Sequence, residues 1–203
     1  MLAKQERLLA LCKDILRDDY VFLKPLRYEV REDIDAGRSD VTGVVRNTTT
    51  GAEYTIHGTG VGGIDALFAG LKDHFAREHR SLKTIAIRDF RVKAQMGSRQ
   101  HADGADAPAQ VVVEIENSYG RRFRFEHTSR SVMRSAMVAT LEAVEYFVNS
   151  ERALVRLHQA MEHARTQNRA DAVELYTRQM ADLVENTSYT EVVQGIRERF
   201  DRR

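Results

Sequence analysis

The residues with the clearest chemical potential lie in the segment GTGVGGIDALFAGL, at positions 58–71. Gly58, Gly60 and Gly62 alternate at the end of a strand-like run, Gly63 follows, and an amphipathic helix begins there. Glycines let a backbone turn sharply and approach a ligand closely. The first turn of the helix adds unpaired N–H groups and the positive end of the helix dipole. This combination predicts a site for a carboxylate or phosphate group; the alternative is a plain tight turn.

Two acidic and two hydroxyl residues are further candidates for ligand contact. Asp65 falls in the first turn of the helix, where the helix dipole stabilises a carboxylate and where it could also receive a ligand ammonium group. Asp89 begins a later strand, where the same ligand contact competes with simple solvation. Ser129 and Ser131 precede a second helix. Serine usually caps a helix N-terminus there, so ligand binding is the alternative role.

Neither catalysis nor metal binding is predicted from the remaining polar residues. His57 and His127 occupy similar places in two strands, but the alternation of each strand directs the first outward and the second inward. A shared metal site needs convergent ligands and is therefore not expected. His101, Asp103 and Asp106 could hold a cation, although a polar loop is the simpler interpretation. No nucleophile–base–acid arrangement is recognisable, so we expect no catalytic residue, no metal and no cofactor.

The composition limits the classes of partner. The 31 basic and 30 acidic residues nearly cancel, so bulk electrostatics favour neither a nucleic acid nor an anionic membrane. Cys12 is the only cysteine, which excludes an internal disulfide and favours a reducing compartment. No apolar run is long enough to span a bilayer, and the amphipathic, acid-containing N-terminus does not resemble a targeting peptide. We therefore expect a soluble cytoplasmic protein.

The elements that position the glycine segment occur twice along the chain. In the first unit, three segments alternate apolar and polar residues, and the helix after the glycines follows them. The second unit repeats this order, and its turn residues Asn117 and Gly120 align with Asn47 and Gly51. The sequence thus predicts an α+β fold of two βββα units. Each unit contributes a three-stranded sheet that buries one face, with two helices packed on the sheets.

Helical patterns flank this duplicated part on both sides. Pro25 marks the boundary of the N-terminal helical segment, and Ser188 with Glu191 resembles a capping box that opens a last helix. Three predicted regions result, namely an N-terminal helix at 1–25, a duplicated domain at 26–150 with repeats 26–80 and 84–150, and a helical tail at 151–203.

Three segments resemble the motifs of a known family. The glycine segment at 58–71 resembles the signature G-x-G-N-G-P-V-D-A-L-x-x-A-L of the C-terminal regulatory (allosteric, dimerisation) domain of 2-isopropylmalate and citramalate synthases. In the second unit, RDFRVKA at 88–94 is similar to the family's D-Y-x-V-x-A strand. SRSVMRSAMVATLEAVEY at 129–146 resembles S-T-N-I-I-E-A-S-x-x-A-L-x-D-S-L-x-Y without gaps. The resemblance covers residues 26–150.

The resemblance implies a homodimer that binds leucine, isoleucine or a related carboxylate near the glycine loops and the two-fold interface. Two positions depart from the motif, because Val61 replaces its asparagine and Gly63 replaces its proline. The first change removes a polar group that could fix the effector, and the second loosens a helix start that proline would preset. The implied ligand-binding residues are Gly58, Gly60, Gly62, Gly63, Ile64, Asp65, Asp89, Thr128, Ser129 and Ser131.

Three functions remain open from the sequence. The first is a non-catalytic domain that binds a branched-chain amino acid or related carboxylate, dimerises, and regulates a separately encoded synthase. The second is an enzyme without the barrel, in which the former effector cleft acts on a small acid. The third is a structural adaptor that binds a protein partner through the helical tail.

The chemistry of the synthases themselves is not expected from these residues. Their catalytic (β/α)₈ barrel needs about 250 residues, and neither it nor its H-x-H metal motif is found in the 203 residues. We therefore expect no condensation of acetyl-coenzyme A with a 2-oxo acid.

Overall fold

The computed structural model describes residues 2–94 and 107–184 and has an α+β fold. The first half consists of α1 (Leu2–Leu16), β1 (Leu23–Asp33), β2 (Arg38–Asn47), β3 (Glu53–Gly60) and α2 (Gly63–Phe75). The second half consists of β4 (Ala86–Ala94), β5 (Ala109–Glu116), β6 (Arg122–Ser129), α3 (Val132–Thr166) and α4 (Ala170–Val184). The predicted order of two successive βββα units is confirmed. His101, Asp103, Asp106 and the last helix predicted at Ser188 lie outside the described residues.

The six strands form two separate antiparallel sheets, with the orders β1-β2-β3 and β4-β5-β6. The turn between the second and third strands is built in the same way in both. Asn47 and Asn117 are buried, and the Oδ1 atom of each accepts hydrogen bonds from amides of its own turn. Gly51 and Gly120 have φ angles of 77° and 72°, a conformation that favours glycine. The alignment of these turns in the sequence therefore reflects a structural duplication.

Helices α2 and α3 cover the inner faces of the sheets and join the two units. α2 packs on β2 and β3, whereas α3 packs on β5 and β6 and also contacts α1, α2 and β1. At the centre, Tyr146 and Phe147 of α3 lie against Phe123 of β6, with ring centroids 5.4 and 5.2 Å away. The buried side chains form one core cluster that draws on both units, so the two sheets are held together by packing.

The glycines of the first unit allow its helix to lie directly on the strand backbone. A Cβ atom added to Gly58 would overlap the carbonyl oxygen of Ala66 and would lie 2.7 Å from the amide nitrogen of Gly70. A Cβ atom at Gly70 would in turn lie 2.7 Å from the carbonyl oxygen of His57. Gly58 therefore serves the close approach of α2 to β3, and no glycine between 58 and 63 has a positive φ angle.

Two predicted boundaries fall inside continuous elements. Pro25 lies within β1, beside an irregularity in the register between Pro25 and Arg27. Proline is tolerated there because β1 is an edge strand. Position 150 lies within α3, which runs for 35 residues from the second unit into the region predicted as the tail. The division of the chain into three regions stays a prediction, and its two boundaries do not coincide with ends of elements.

Substitution of Gly58 by alanine tests this close packing. The added methyl group meets backbone atoms that cannot rotate away, so we expect the free energy of unfolding to fall by about 1–3 kcal/mol or more. Gly62→Ala is the matched control, because a Cβ atom at Gly62 meets nothing within 4 Å, and its cost should stay below about 1 kcal/mol. Chemical denaturation measures both variants. Equal losses in the two variants would contradict the assigned role of Gly58.

Candidate functional site

The turn that leads into α2 is held by the side chain of Asp65, although no side chain caps the helix N-terminus itself. Gly62 is the N-cap residue and has extended backbone angles, with φ −161° and ψ 163°. The Oδ2 atom of Asp65 accepts a hydrogen bond from the backbone amide of Val61, at 3.2 Å. A Cβ atom at Gly60 would collide with this same carboxylate and would lie 2.6 Å from the amide nitrogen of Ala66. Gly60 and Asp65 therefore stabilise the turn from strand to helix.

The N-terminus of α3 is capped by the serines that precede it. The Ser131 hydroxyl accepts a hydrogen bond from the backbone amide of Arg134, at 3.2 Å, which is the usual geometry of an N-cap. The Ser129 hydroxyl donates to the carbonyl oxygen of Ser131 and lies 2.9 Å from the hydroxyl of Ser135. Thr128 is exposed on β6, opposite Gln110 of β5. Capping thus accounts for Ser131, and turn formation accounts for Ser129.

The two helix N-termini come into contact with each other. A Cβ atom at Gly63, the first residue of α2, would lie 3.4 Å from Cε of Met133 in the first turn of α3. It would also lie 3.5 Å from Cγ1 of Val30 on β1. The duplication therefore brings the loop–helix junction of each unit to one place, beside the first strand of the chain.

A cleft of about 750 Å³ opens next to this contact, between the edge strands β1 and β6 and the first turns of α3. Its size lies within the range of small-molecule sites. On β1, Val30 lies two positions after the lining residue Tyr28. On α3, Met133 directly precedes the lining residue Arg134. The lining residues are Leu23, Lys24, Pro25, Leu26, Arg27, Tyr28, His127, Ser131, Arg134, Met137 and Val138.

The cleft contains only part of the predicted set of site residues. Ser131 lines it, whereas the carboxylate of Asp89 forms an ion pair with Arg91 on β4, 2.9 Å away, at the opposite edge of the second sheet. Ile64 is partly buried and packs against the core. Gly58, Gly60, Gly62, Gly63, Ile64, Asp65, Asp89, Thr128 and Ser129 are not among the lining residues, and a role of theirs in ligand binding stays a prediction.

The sequence analysis missed the basic residues of the cleft. Lys24 and Arg27 come from β1 and Arg134 comes from α3, more than a hundred positions later. Pro25 was a partial signal, because a proline within a strand occurs at edges and bulges, and the register of β1 does shift between Pro25 and Arg27. Which distant helix faces that strand could not be read from the pattern.

Two side chains of α3 hold the start of β1 beneath the cleft. The Asn149 amide accepts a hydrogen bond from the backbone N–H of Val21 at 2.8 Å and donates to its carbonyl oxygen at 2.9 Å. The carboxylate of Glu145 accepts a hydrogen bond from the backbone N–H of Leu23. Burial raises the pKa of Glu145 to about 7, the Leu23 amide opposes this shift, and the neighbouring Glu142 adds to it.

The described residues hold neither a metal cluster nor a membrane helix. Within residues 2–94 and 107–184, no group of three or more His, Cys, Asp or Glu side chains is placed to hold a metal ion. His57 is exposed near Thr42, whereas His127 faces the cleft, as the alternation of their strands predicts. In the same part of the chain, no helix combines the length and the apolar character needed to cross a membrane.

The fold and the cleft define a class of small α+β domains built by duplication of a βββα unit. Compared with known families, residues 3–148 match the LeuA allosteric (dimerisation) domain. The chain belongs to this family, which confirms the resemblance that its motifs carry and supports a regulatory dimerisation role. The match begins at residue 3, so it includes α1, which the motifs did not reach. A search of curated proteins finds no match to the chain.

Replacing Glu145 by glutamine should change how stability depends on pH. The pKa of this carboxyl is about 7 in the folded protein against an ordinary 4.5, so between these values the folded chain binds the proton better than the unfolded chain does. The free energy of unfolding contributed by Glu145 therefore falls as the pH rises from 4.5 to 7. Glu145→Gln should remove up to about 3 kcal/mol of this loss.

Denaturation at several pH values measures the effect. The control is Glu174→Gln, because Glu174 is an exposed residue of α4 that pairs with Arg178. For this control, the free energy of unfolding should depend on pH in the same way as it does for the unchanged protein. A parallel curve for Glu145→Gln would contradict the assigned raised pKa.

Proposed function

We propose that the protein is a regulatory domain that forms a homodimer through the uncovered parts of its sheets and binds a small amino acid or related organic acid in the cleft. The observation that carries the proposal is that the cleft opens on the uncovered face of β1. Family membership supports the dimerising role, and the contacts described above support the position of the ligand.

The inner face of the first sheet continues beyond the helix that covers it. Tyr28 stands opposite Gly43 and Val30 stands opposite Val41, so these pairs share the face that packs against the core. Val41 is only 2% exposed, whereas Tyr28 and Val30 are 41% and 37% exposed. Apolar side chains on a core-facing surface need a cover, and a second copy of the chain provides one.

The second sheet repeats this arrangement. Val92 on β4 stands opposite Val111 on β5, which is fully buried, yet Val92 is 45% exposed. Phe90, on the same face opposite Val113, is partly buried. Both units therefore leave the first strand of the sheet open on its inner side. A self-complementary surface made by duplicated elements suits a two-fold dimer, the commonest closed assembly.

Ligand binding and self-association meet at one residue of β1. Tyr28 lines the cleft and is also part of the uncovered face. A ligand in the cleft therefore changes the surface that the second copy covers, and by linkage the dimer changes the affinity for the ligand. Coupling of this kind would let the domain report the concentration of a small acid to a separately encoded synthase. The single cysteine, Cys12, fits an action in the cytoplasm.

The assembly is tested by light scattering over a concentration series. We expect a mass twice that of the 23.2-kDa chain. Val30→Asp and Val92→Asp should shift the protein toward the monomer, because a carboxylate would be buried without a partner. Leu175→Asp is the control, since Leu175 is an exposed apolar residue of α4 outside both sheets. A mass of one chain at all concentrations would refute the homodimer.

Ligand binding is tested by a thermal-shift screen of the twenty amino acids and of common 2-oxo and 2-hydroxy acids. A ligand at about 100 times its dissociation constant adds about 2.7 kcal/mol to the free energy of unfolding. We expect at least one of these acids to raise the melting temperature and to change the dimer dissociation constant. If none does either, the adaptor function through the helical region is favoured over ligand binding.

A further inference from the structure

Strand β1 has one side without a neighbouring strand, because it lies at the edge of the first sheet. Every residue from Leu26 to Asp33 is exposed. Within the part of the chain that the structure describes, no side chain forms a hydrogen bond with the backbone of this range. The consecutive residues Leu23–Tyr28 line the cleft, so open space borders the first part of this edge. A long, exposed edge is a template for pairing with another strand.

Other strand edges that face this side of the molecule are covered by side chains from helices. At the β6 edge, the side-chain amide of Gln5 on α1 donates to the carbonyl oxygen of Arg124 at 3.4 Å and accepts from its N–H at 3.5 Å. Asn149 and Glu145 of α3 cover the start of β1 in a similar way. After Leu23, β1 has no such cover among the described residues.

The charges of β1 alternate in sign along its outer face. Tyr28 lies on the inner face, so Arg27, Glu29, Arg31 and Asp33 share the outer face. The register with β2 is regular over this range, since its irregularity comes before Arg27. Arg31 pairs with Glu29 of its own chain at 2.8 Å, yet both side chains stay largely exposed. Read backwards, the order of charges is reversed in sign, which makes the strand complementary to an antiparallel copy of itself.

A two-fold axis allows only some registers between two copies of β1. Opposite residues in an antiparallel pair share a face, so one residue on the axis must lie opposite its own copy. With Val30 on the axis, Arg27 lies opposite Asp33 of the partner subunit. Glu29 then lies opposite the partner's Arg31, and both pairs occur twice. An axis at Glu29 or at Arg31 would instead place a charge opposite its own copy.

The neighbouring registers and the other open strand are less suitable. An axis at Glu32 would place two glutamates opposite each other. An axis at Tyr28 would draw the irregular start of β1 into the pairing, where a proline cannot donate a hydrogen bond. On β4, an axis at Val92 would place Arg91 opposite Lys93. The charge pattern therefore favours β1 and a single register.

We infer that two copies of the chain join edge to edge through β1, in an antiparallel pair whose two-fold axis passes beside Val30. This inference rests on the proposed homodimer and identifies the contact that forms it. The three-stranded sheet of one copy continues into that of the other. Val30, which is 37% exposed on the inner face, packs against its own copy, and the four opposite-charge pairs on the outer face stabilise the register.

Disulfide cross-linking tests the position of the axis. Directly opposite residues of an antiparallel pair have Cα atoms about 4.5–5.5 Å apart, a separation that a disulfide can span. Val30→Cys should therefore form a covalent dimer on mild oxidation, seen by non-reducing electrophoresis. Tyr28→Cys is the matched control on the same face, because the two copies of position 28 would lie about 13 Å apart along the strands. The native Cys12 is buried and should not cross-link.

A mixture of two charge-reversal variants tests the register. Glu29→Arg alone places arginines opposite each other, and Arg31→Glu alone places glutamates opposite each other. Each change should raise the dimer dissociation constant about tenfold or more, because like charges on opposite positions are destabilising. Mixed in equal amounts, the two variants regain opposite charges at both positions. Light scattering over a concentration series should then show a heterodimer with nearly the original dissociation constant.

The matched controls make the same charge changes away from β1. Glu174 and Arg178 pair with each other on α4 at 3.1 Å and are exposed. Glu174→Arg and Arg178→Glu should leave the dimer dissociation constant within about twofold. Circular dichroism and thermal melts confirm that all variants stay folded.

The outcomes separate this inference from the proposed function. If the unchanged chain is a monomer at all concentrations, the edge pairing and the homodimer both fail. A dimer that neither Glu29→Arg nor Arg31→Glu weakens would overturn the edge pairing and leave the homodimer standing. Cross-linking of Tyr28→Cys without that of Val30→Cys would overturn the register. Weakened association of both variants without recovery in the mixture would overturn it as well.

Discussion

The close contact between helix α2 and strand β3 determines where the other parts of the site can lie. Gly58 and Gly70 remove the side chains that would hold the two backbones apart. The helix therefore sits low over β2 and β3. Its first residue, Gly63, is brought against Met133 of α3, and β1 keeps an open face. The cleft lies beside the place where the two helix N-termini meet.

Much of the fold could be predicted from local patterns. Strand alternation, the paired turns at Asn47 and Asn117, and the apolar stripe of each helix are signals that a single sequence contains. The boundaries of the helices and strands were harder to predict from the sequence. Pro25 suggested a break, but an edge strand tolerates a proline. The helix that begins at Val132 has no glycine or proline to mark an end near residue 150, so its continuation could not be excluded by pattern alone.

The site was harder to predict because residues that are distant in the chain line it. The glycine segment was correctly placed at a strand-to-helix turn, yet Gly58 and Gly60 meet their own helix there. The cleft is lined by residues of β1 and of α3 that lie more than a hundred positions apart in the chain. A sequence shows how many acidic and basic residues exist. It does not show which of them are close enough to neutralise each other, since that depends on tertiary packing.

The unbroken length of α3 has a mechanical consequence. One helix of 35 residues, about 50 Å long, begins at the cleft and ends where α4 folds back along it. Because α3 is continuous, it contains no hinge between the cleft and α4. The orientation of α4 relative to the cleft is therefore fixed by the helix. Inserting or deleting one residue in the middle would swing α4 around the axis by about 100°. The spacing between the cleft and α4 is therefore restricted to whole turns of the helix.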